Sequence, residues 1–131
     1  MTNLIANLTA AWAGDCDLLI AQYVPDCTFE DKAFGIVHHG HEGLREVFAF
    51  TFTMMPDFSV TYGNTVLGPD CAAAEWIFTG SFHGEYDGKV HAGTPVRIEG
   101  VSFMTLKDGK IATNTDYWNV KTIEQQLAGA R

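Results

Sequence analysis

The stretch RIEGVSFMTLKDGKIATNTDYWN, residues 97–119, reads as two long strands folded about Lys107-Asp108-Gly109-Lys110. Asp-Gly supplies the positive φ angles that a tight hairpin turn demands, and apolar residues flank it on both sides. Near the far end of the second strand stands a carboxylate, Asp116, followed by two large aromatics, Tyr117 and Trp118. Upstream the same character continues: strands are expected over 58–66, 71–86 and 89–106, the last broken near Gly93 to Pro95, with turns at Gly68-Pro69-Asp70 and Asp87-Gly88.

Before these strands the periodicity is helical. Leu4, Ile5, Leu8, Ala11 and Trp12 predict a helix over 3–13 that Gly14 stops. A short second helix runs from Asp15 through Tyr23 and ends before Pro25. Cys27 to Asp31 predicts a short strand, and a loop follows through Gly35. Residues 42–55 predict a third, mostly buried helix ended by Pro56, and 122–128 either a short helix or a closing tail. Helices first and strands after give an α+β fold: three N-terminal helices packed on a strongly curved antiparallel β-sheet, a cone enclosing an apolar pocket.

Composition narrows the function. At 131 residues and 47% apolar, the chain predicts a single domain, 1–131, whose core needs no disulfide or metal staple. No run approaches the ~18 apolar residues of a membrane span. A net charge of −8, with the eight basic residues scattered, repels phosphate backbones, so neither nucleic acid nor membrane is an expected partner. Cys16, Cys27 and Cys71 are odd in number and lack CxxC spacing, and no secretory pattern opens the chain; a reduced, cytoplasmic protein is expected.

Six segments, taken in order, carry a family likeness: AGDCD (13–17), TFEDKAFG (28–35), HHGHEGLREVF (38–48), MMPDF (54–58), AEWIFTGSFHGEY (74–86) and LKDGKIATNTDYWN (106–119). Together they resemble the SnoaL-like branch of the nuclear transport factor 2 superfamily over about residues 8–127. Its members include polyketide cyclases, ketosteroid isomerases, limonene epoxide hydrolases, dehydratases and proteins without chemistry, so the likeness implies a fold more closely than a reaction.

The resemblance places Asp116 where epoxide hydrolase relatives carry a catalytic carboxylate, and burial among aromatics would raise its pKa toward the range useful for proton transfer. Asp31, in TFEDKAFG, matches the proton-shuttling acid of the isomerases, but Leu8 and Gly100 or Val101 stand near the positions of their oxyanion donors, which disfavours steroid isomerisation. Asn119 falls where relatives keep an acid; it either replaces that acid or caps a terminal helix. The cluster His38-His39-Gly40-His41 lacks metal-ligand spacing, so no metal or other cofactor is expected; His39, with His83 as its rival, is the candidate acid or base near neutral pH.

Trp12, Tyr23, Phe34, Phe52 and Tyr117 are either core or lining of a ligand cavity. Glu75 shares a strand face with Ala73 and Ile77, Trp76 lies on the other face, and the sequence leaves open which of the two lines the pocket. The expected function is cofactor-independent acid/base catalysis (cyclisation, isomerisation or dehydration) on a small apolar carbonyl-bearing molecule by Asp116, Asp31 and His39. The alternatives are a non-catalytic binder of a small hydrophobic ligand and a module whose cone is filled by its own aromatics. The outer sheet face is expected to support a homodimer.

Overall fold

The structure, a computed structural model, describes residues 3–129. Helices α1 (Leu4–Ala11) and α2 (Cys16–Ala21) open the chain, followed by strands β1 (Tyr23–Asp31) and β2 (Ile36–His39) and helix α3 (Gly40–Met54). Strands β3 (Ser59–Leu67), β4 (Cys71–Tyr86), β5 (Lys89–Lys107) and β6 (Lys110–Trp118) come next, then helix α4 (Val120–Ala128). The α+β arrangement of helices on a curved sheet is as expected, with corrections to the order of the helices and to the sheet.

The first three helices are not consecutive, because a β1–β2 hairpin separates α2 from α3. The expected loop through Gly35 is in fact its turn: Asp31 Oδ1 accepts from the backbone N–H groups of Ala33 (2.9 Å) and Phe34 (3.1 Å) and reverses the chain. Tyr23, expected at the end of the second helix, begins β1 instead. Pro25 then lies inside a strand, where the pairing with β6 is interrupted between Tyr23 and Thr28, so its missing N–H breaks no ladder bond there.

The sheet is mixed rather than wholly antiparallel. Its six strands run β2-β1-β6-β5-β4-β3, and β1 lies parallel to β6. Sequence neighbours usually pair, and that rule holds from β3 to β6; it cannot foresee an early strand that docks beside the last one. The break expected in β5 is a bulge, with the register shifting between Phe82 and His83 and Gly93 at φ 101 taking up the extra residue. Further shifts at Tyr62/Thr65 and Thr105/Leu106 bend the strands around the helices. The turns follow expectation, with Asp108 at φ 51 and Gly109 at φ 80, and Asp87 at φ 51 and Gly88 at φ 79.

Packing divides the interior into two clusters. One joins the α1–α2 arm, through Leu8 and Leu19, to Leu44 of α3 and Tyr23, Met104 and Ile111 of the sheet. The other joins Ile123 and Leu127 of α4 to Trp76, Val96 and Ile98. Leu19, Leu44 and Leu127 are fully buried, and truncating any one to alanine costs about 2–5 kcal/mol. Helix α3 is less buried than expected: only Gly43 and Leu44 are fully enclosed. Among the described residues no helix is long and apolar enough to cross a membrane.

Candidate active site

Between α3 and the concave face of the sheet lies a cavity of about 220 Å³. An engineered core cavity of ~150 Å³ holds benzene, so a one- or two-ring molecule fits here. The mouth is apolar: Phe34 (44% exposed), Ile36 (47%) and Phe50 (61%) line the cavity while facing solvent. These residues stand on the β1–β2 turn, the start of β2 and the outer half of α3, which is why α3 stays partly open.

The polar part of the wall follows from strand register. Asp116 on β6 lies abreast of Asp31 on β1 and opposite Ser102 on β5. Ser102 Oγ donates to Asp116 Oδ1 at 2.6 Å, and Asn114, two residues back on the same face of β6, donates to that oxygen from Nδ2 at 2.8 Å. Ser102 Oγ in turn accepts from the indole N–H of Trp76 at 2.8 Å. Trp76 reaches across from β4 because the neighbouring position on β5 is Gly100: a Cβ there would meet Trp76 Cη2 at 2.5 Å and the Tyr117 carbonyl oxygen at 2.8 Å. The glycine is a gap the indole occupies.

Burial raises the Asp116 carboxyl from 3.8 to about 6; the bonds from Ser102 and Asn114 pull it down, and the negative charge of Asp31 adds to the rise. The two carboxylates differ in what their Oδ1 atoms hold. Asp31 Oδ1 holds its two turn N–H groups and also accepts from Trp118 Nε1 at 3.1 Å, and Phe34 stacks edge-on against the same indole with ring centres 5.1 Å apart. Asp31 therefore fixes the turn at the mouth. Both Asp31 and Asp116 keep Oδ2 without a hydrogen-bond partner among the described residues. Tyr23 and Tyr62 also line the cavity; burial first, then the charge of Asp116, push both phenols upward, so both stay protonated while Asp116 titrates.

Of the residues singled out in the sequence, Asp116, Asp31, Trp12, Tyr23 and Phe34 line this cavity. Others stand elsewhere. His39 points away, because alternation on β2 turns His38 to the cavity, where its Nδ1 lies 3.7 Å from Glu46 Oε1, and His39 to solvent. His83 is exposed as well. Glu75 is on the outer face of β4, accepting from Asn64 Nδ2 at 2.8 Å, because Trp76 takes the inner face. Tyr117, one residue from Asp116, faces outward and is 49% exposed. Phe52 packs into the core beside Phe48 and Phe58, with ring centres 4.7 and 5.8 Å away. Asn119 caps α4, its Oδ1 accepting from Lys121 N at 2.9 Å.

Sequence reasoning missed Ser102, Asn114, Trp76, Tyr62 and His38. Asn114 was within reach, since alternation on β6 gives it the face of Asp116.

Comparison with known proteins agrees with this architecture. Cyclase aurE of Calcarisporium arbuscula is 29% identical over 106 residues, 80% of this chain and 75% of the relative. Wild-type IdmH of Streptomyces antibioticus superposes with a TM-score of 0.82 at 24% identity, covering 97% of each chain. A Catenulispora acidiphila protein with a ketosteroid isomerase-like fold, solved with trimethylamine, gives a TM-score of 0.82 at 22% identity over 95% of this chain and 92% of its own. The family model described as SnoaL-like polyketide cyclase matches residues 4–127, from the first residue of α1 to the last turn of α4, so every element that shapes the cavity belongs to the match and the chain is a member of the SnoaL-like polyketide cyclase family.

Proposed function

We propose that the protein is a cofactor-independent cyclase-type enzyme in which Asp116 moves a proton on a small, apolar, carbonyl-bearing molecule held in the cavity. One observation carries the reading: a single carboxylate, raised to about 6, has one oxygen fixed by Ser102 and Asn114 while the other is left to the cavity. A base works best with its pKa near the operating pH. Family membership and the likeness to a cyclase favour ring closure over isomerisation or dehydration.

In the step this geometry suits, Asp116 takes a proton from the carbon beside a carbonyl and the electron pair moves to the carbonyl oxygen as an enolate. The enolate carbon attacks a second carbonyl of the same molecule, forming a C–C bond. The resulting alkoxide recovers the proton from the carboxylic acid. His38, at the cavity wall beside Glu46, takes the supporting place first expected of His39.

On an enolisable dicarbonyl substrate, Asp116→Asn should abolish turnover while leaving ligand affinity largely intact; unchanged turnover refutes the assignment. A ligand that binds wild type and is never converted would favour the second reading, a binding protein, which draws support from Asp31 Oδ1 being committed to the turn and to Trp118. We further propose a homodimer through the outer sheet face, where Phe103 (44% exposed) and Tyr117 stand beside Val101.

A further inference from the structure

The cavity wall has more hydrogen-bonding groups than the proposed base requires, and some of them are satisfied within the protein. Trp76, Ser102 and Asn114 form the chain that ends on Asp116. Trp118 is bonded to Asp31, Thr51 Oγ1 to the Val47 carbonyl, and His38 faces Glu46. Several are not, the Trp12 indole N–H and Asp116 Oδ2 among them, and two of these are hydroxyls: neither Tyr23 nor Tyr62 has a hydrogen-bond partner among the described residues, although Tyr23 is only 2% exposed and Tyr62 lies against the same core. Neither hydroxyl is sealed into the protein interior without a partner, so the open side of each is the cavity that both rings line. A hydroxyl that opens on the cavity can donate to a bound oxygen without breaking a bond within the protein.

Their placement is specific. Tyr23 opens β1, on one side of β6, and Tyr62 stands on β3, on the far side of β5 and β4. Tyr62 is the strand partner of Trp76, so it is registered to the residue that begins the chain of donors to Asp116. Two phenols thus approach the region of Asp116 from opposite sides, in an apolar space where a hydrogen bond to a charged oxygen counts for more than it does in water.

We propose that Tyr23 and Tyr62 are oxyanion donors: their hydroxyls hold the oxygen of an enolate or phenolate that lies against Asp116, which makes the preferred ligand a flat apolar molecule bearing an enolisable carbonyl or an acidic phenol. The charge balances. When the Asp116 carboxylate accepts the ligand's proton, the single negative charge leaves Oδ2 and settles on the ligand oxygen, where two neutral O–H groups receive it. Preorganised donors of this kind are usually the largest contribution to stabilising such an intermediate. The tyrosines take the place of the oxyanion partners that the isomerase-like positions, Leu8 and Gly100, cannot supply.

The proposal rests on Asp116 as the base, so it is tested in a protein without that base. Asp116→Asn should bind 4-nitrophenolate, whose visible absorption reports the anion, and adding Tyr23→Phe or Tyr62→Phe should each weaken that binding by about ten- to a hundredfold. The shape-matched neutral probe 4-nitrotoluene should bind all three proteins alike. Equal phenolate affinity in all of them, parallel losses for both probes, or no phenolate binding to Asp116→Asn would each overturn the proposal. Phenolate selectivity retained while Asp116→Asn still turns over substrate would remove the base and leave the donor pair standing.

Discussion

Replacing Asp116 with asparagine should stabilise the protein at neutral pH and leave its stability unchanged in mild acid. The native carboxyl sits at about 6 against 3.8 for the free group, so the folded chain binds this proton more tightly than the unfolded one. The stabilisation from holding the proton is fully present below the unfolded value and is lost as pH rises through about 6, where the fold must carry a buried charge. At 1.36 kcal/mol per pH unit, the gap corresponds to at most about 3 kcal/mol at neutral pH. Asparagine keeps an acceptor for Ser102 and Asn114 and turns its amide nitrogen to the cavity, where water reaches it. Urea denaturation of both proteins at about pH 4 and about pH 7.5 measures the effect, and other titrating groups cancel in the difference. A variant no more stable than wild type near pH 7.5, or one equally stabilised at both pH values, refutes the reasoning.

Three further outcomes follow from the same wall. Ser102→Ala removes a donor from Asp116 and strands the Trp76 indole N–H, so the rise of kcat/KM with pH should move upward by about one to two pH units while stability falls by about 1–3 kcal/mol; an unmoved profile separates Ser102 from the base. Gly100→Ala should cost about 1–3 kcal/mol or more in urea denaturation, and adding Trp76→Leu should restore only part of it, because the Tyr117 carbonyl oxygen still blocks the Cβ; full recovery would show that the backbone yields. Phe103→Glu should shift sedimentation from dimer to monomer without changing the far-ultraviolet spectrum, and a wild-type monomer would refute the proposed association.

Most of the fold could be read along the chain, because β3 to β6 pair with their neighbours and announce their turns with Asp-Gly or Gly-Pro-Asp. What escaped was non-local. Tyr23 has an apolar environment on either a helix or a strand, and only the docking of β1 against β6 decides between them. Glu75 and Trp76 were correctly placed on opposite faces, but alternation gives no sign to a face; the helices that cover one side do. Ser102 was hidden by a single residue. Counting back from the Lys107–Lys110 turn without interruption puts Val101 opposite Asp116, whereas the shift between Thr105 and Leu106 moves Ser102 into that place. Asp116 itself was legible through family likeness, while its partners required the register.

The parallel pairing of β1 with β6 also determines when the site comes into being. The bond from Trp118 to Asp31 spans 87 residues of sequence, and contacts of such separation close late because the loop entropy must be met first. On the ribosome β1 leaves the exit tunnel long before β6, so the β1–β2 hairpin has no strand to join until β6 has been made as well. Until then the mouth, the turn fixed by Asp31 and the raised carboxyl of Asp116 do not exist together. The proton affinity of one side chain is therefore a chemical signature of a completed sheet: a chain ending before Lys110 would have most of the strands and no base.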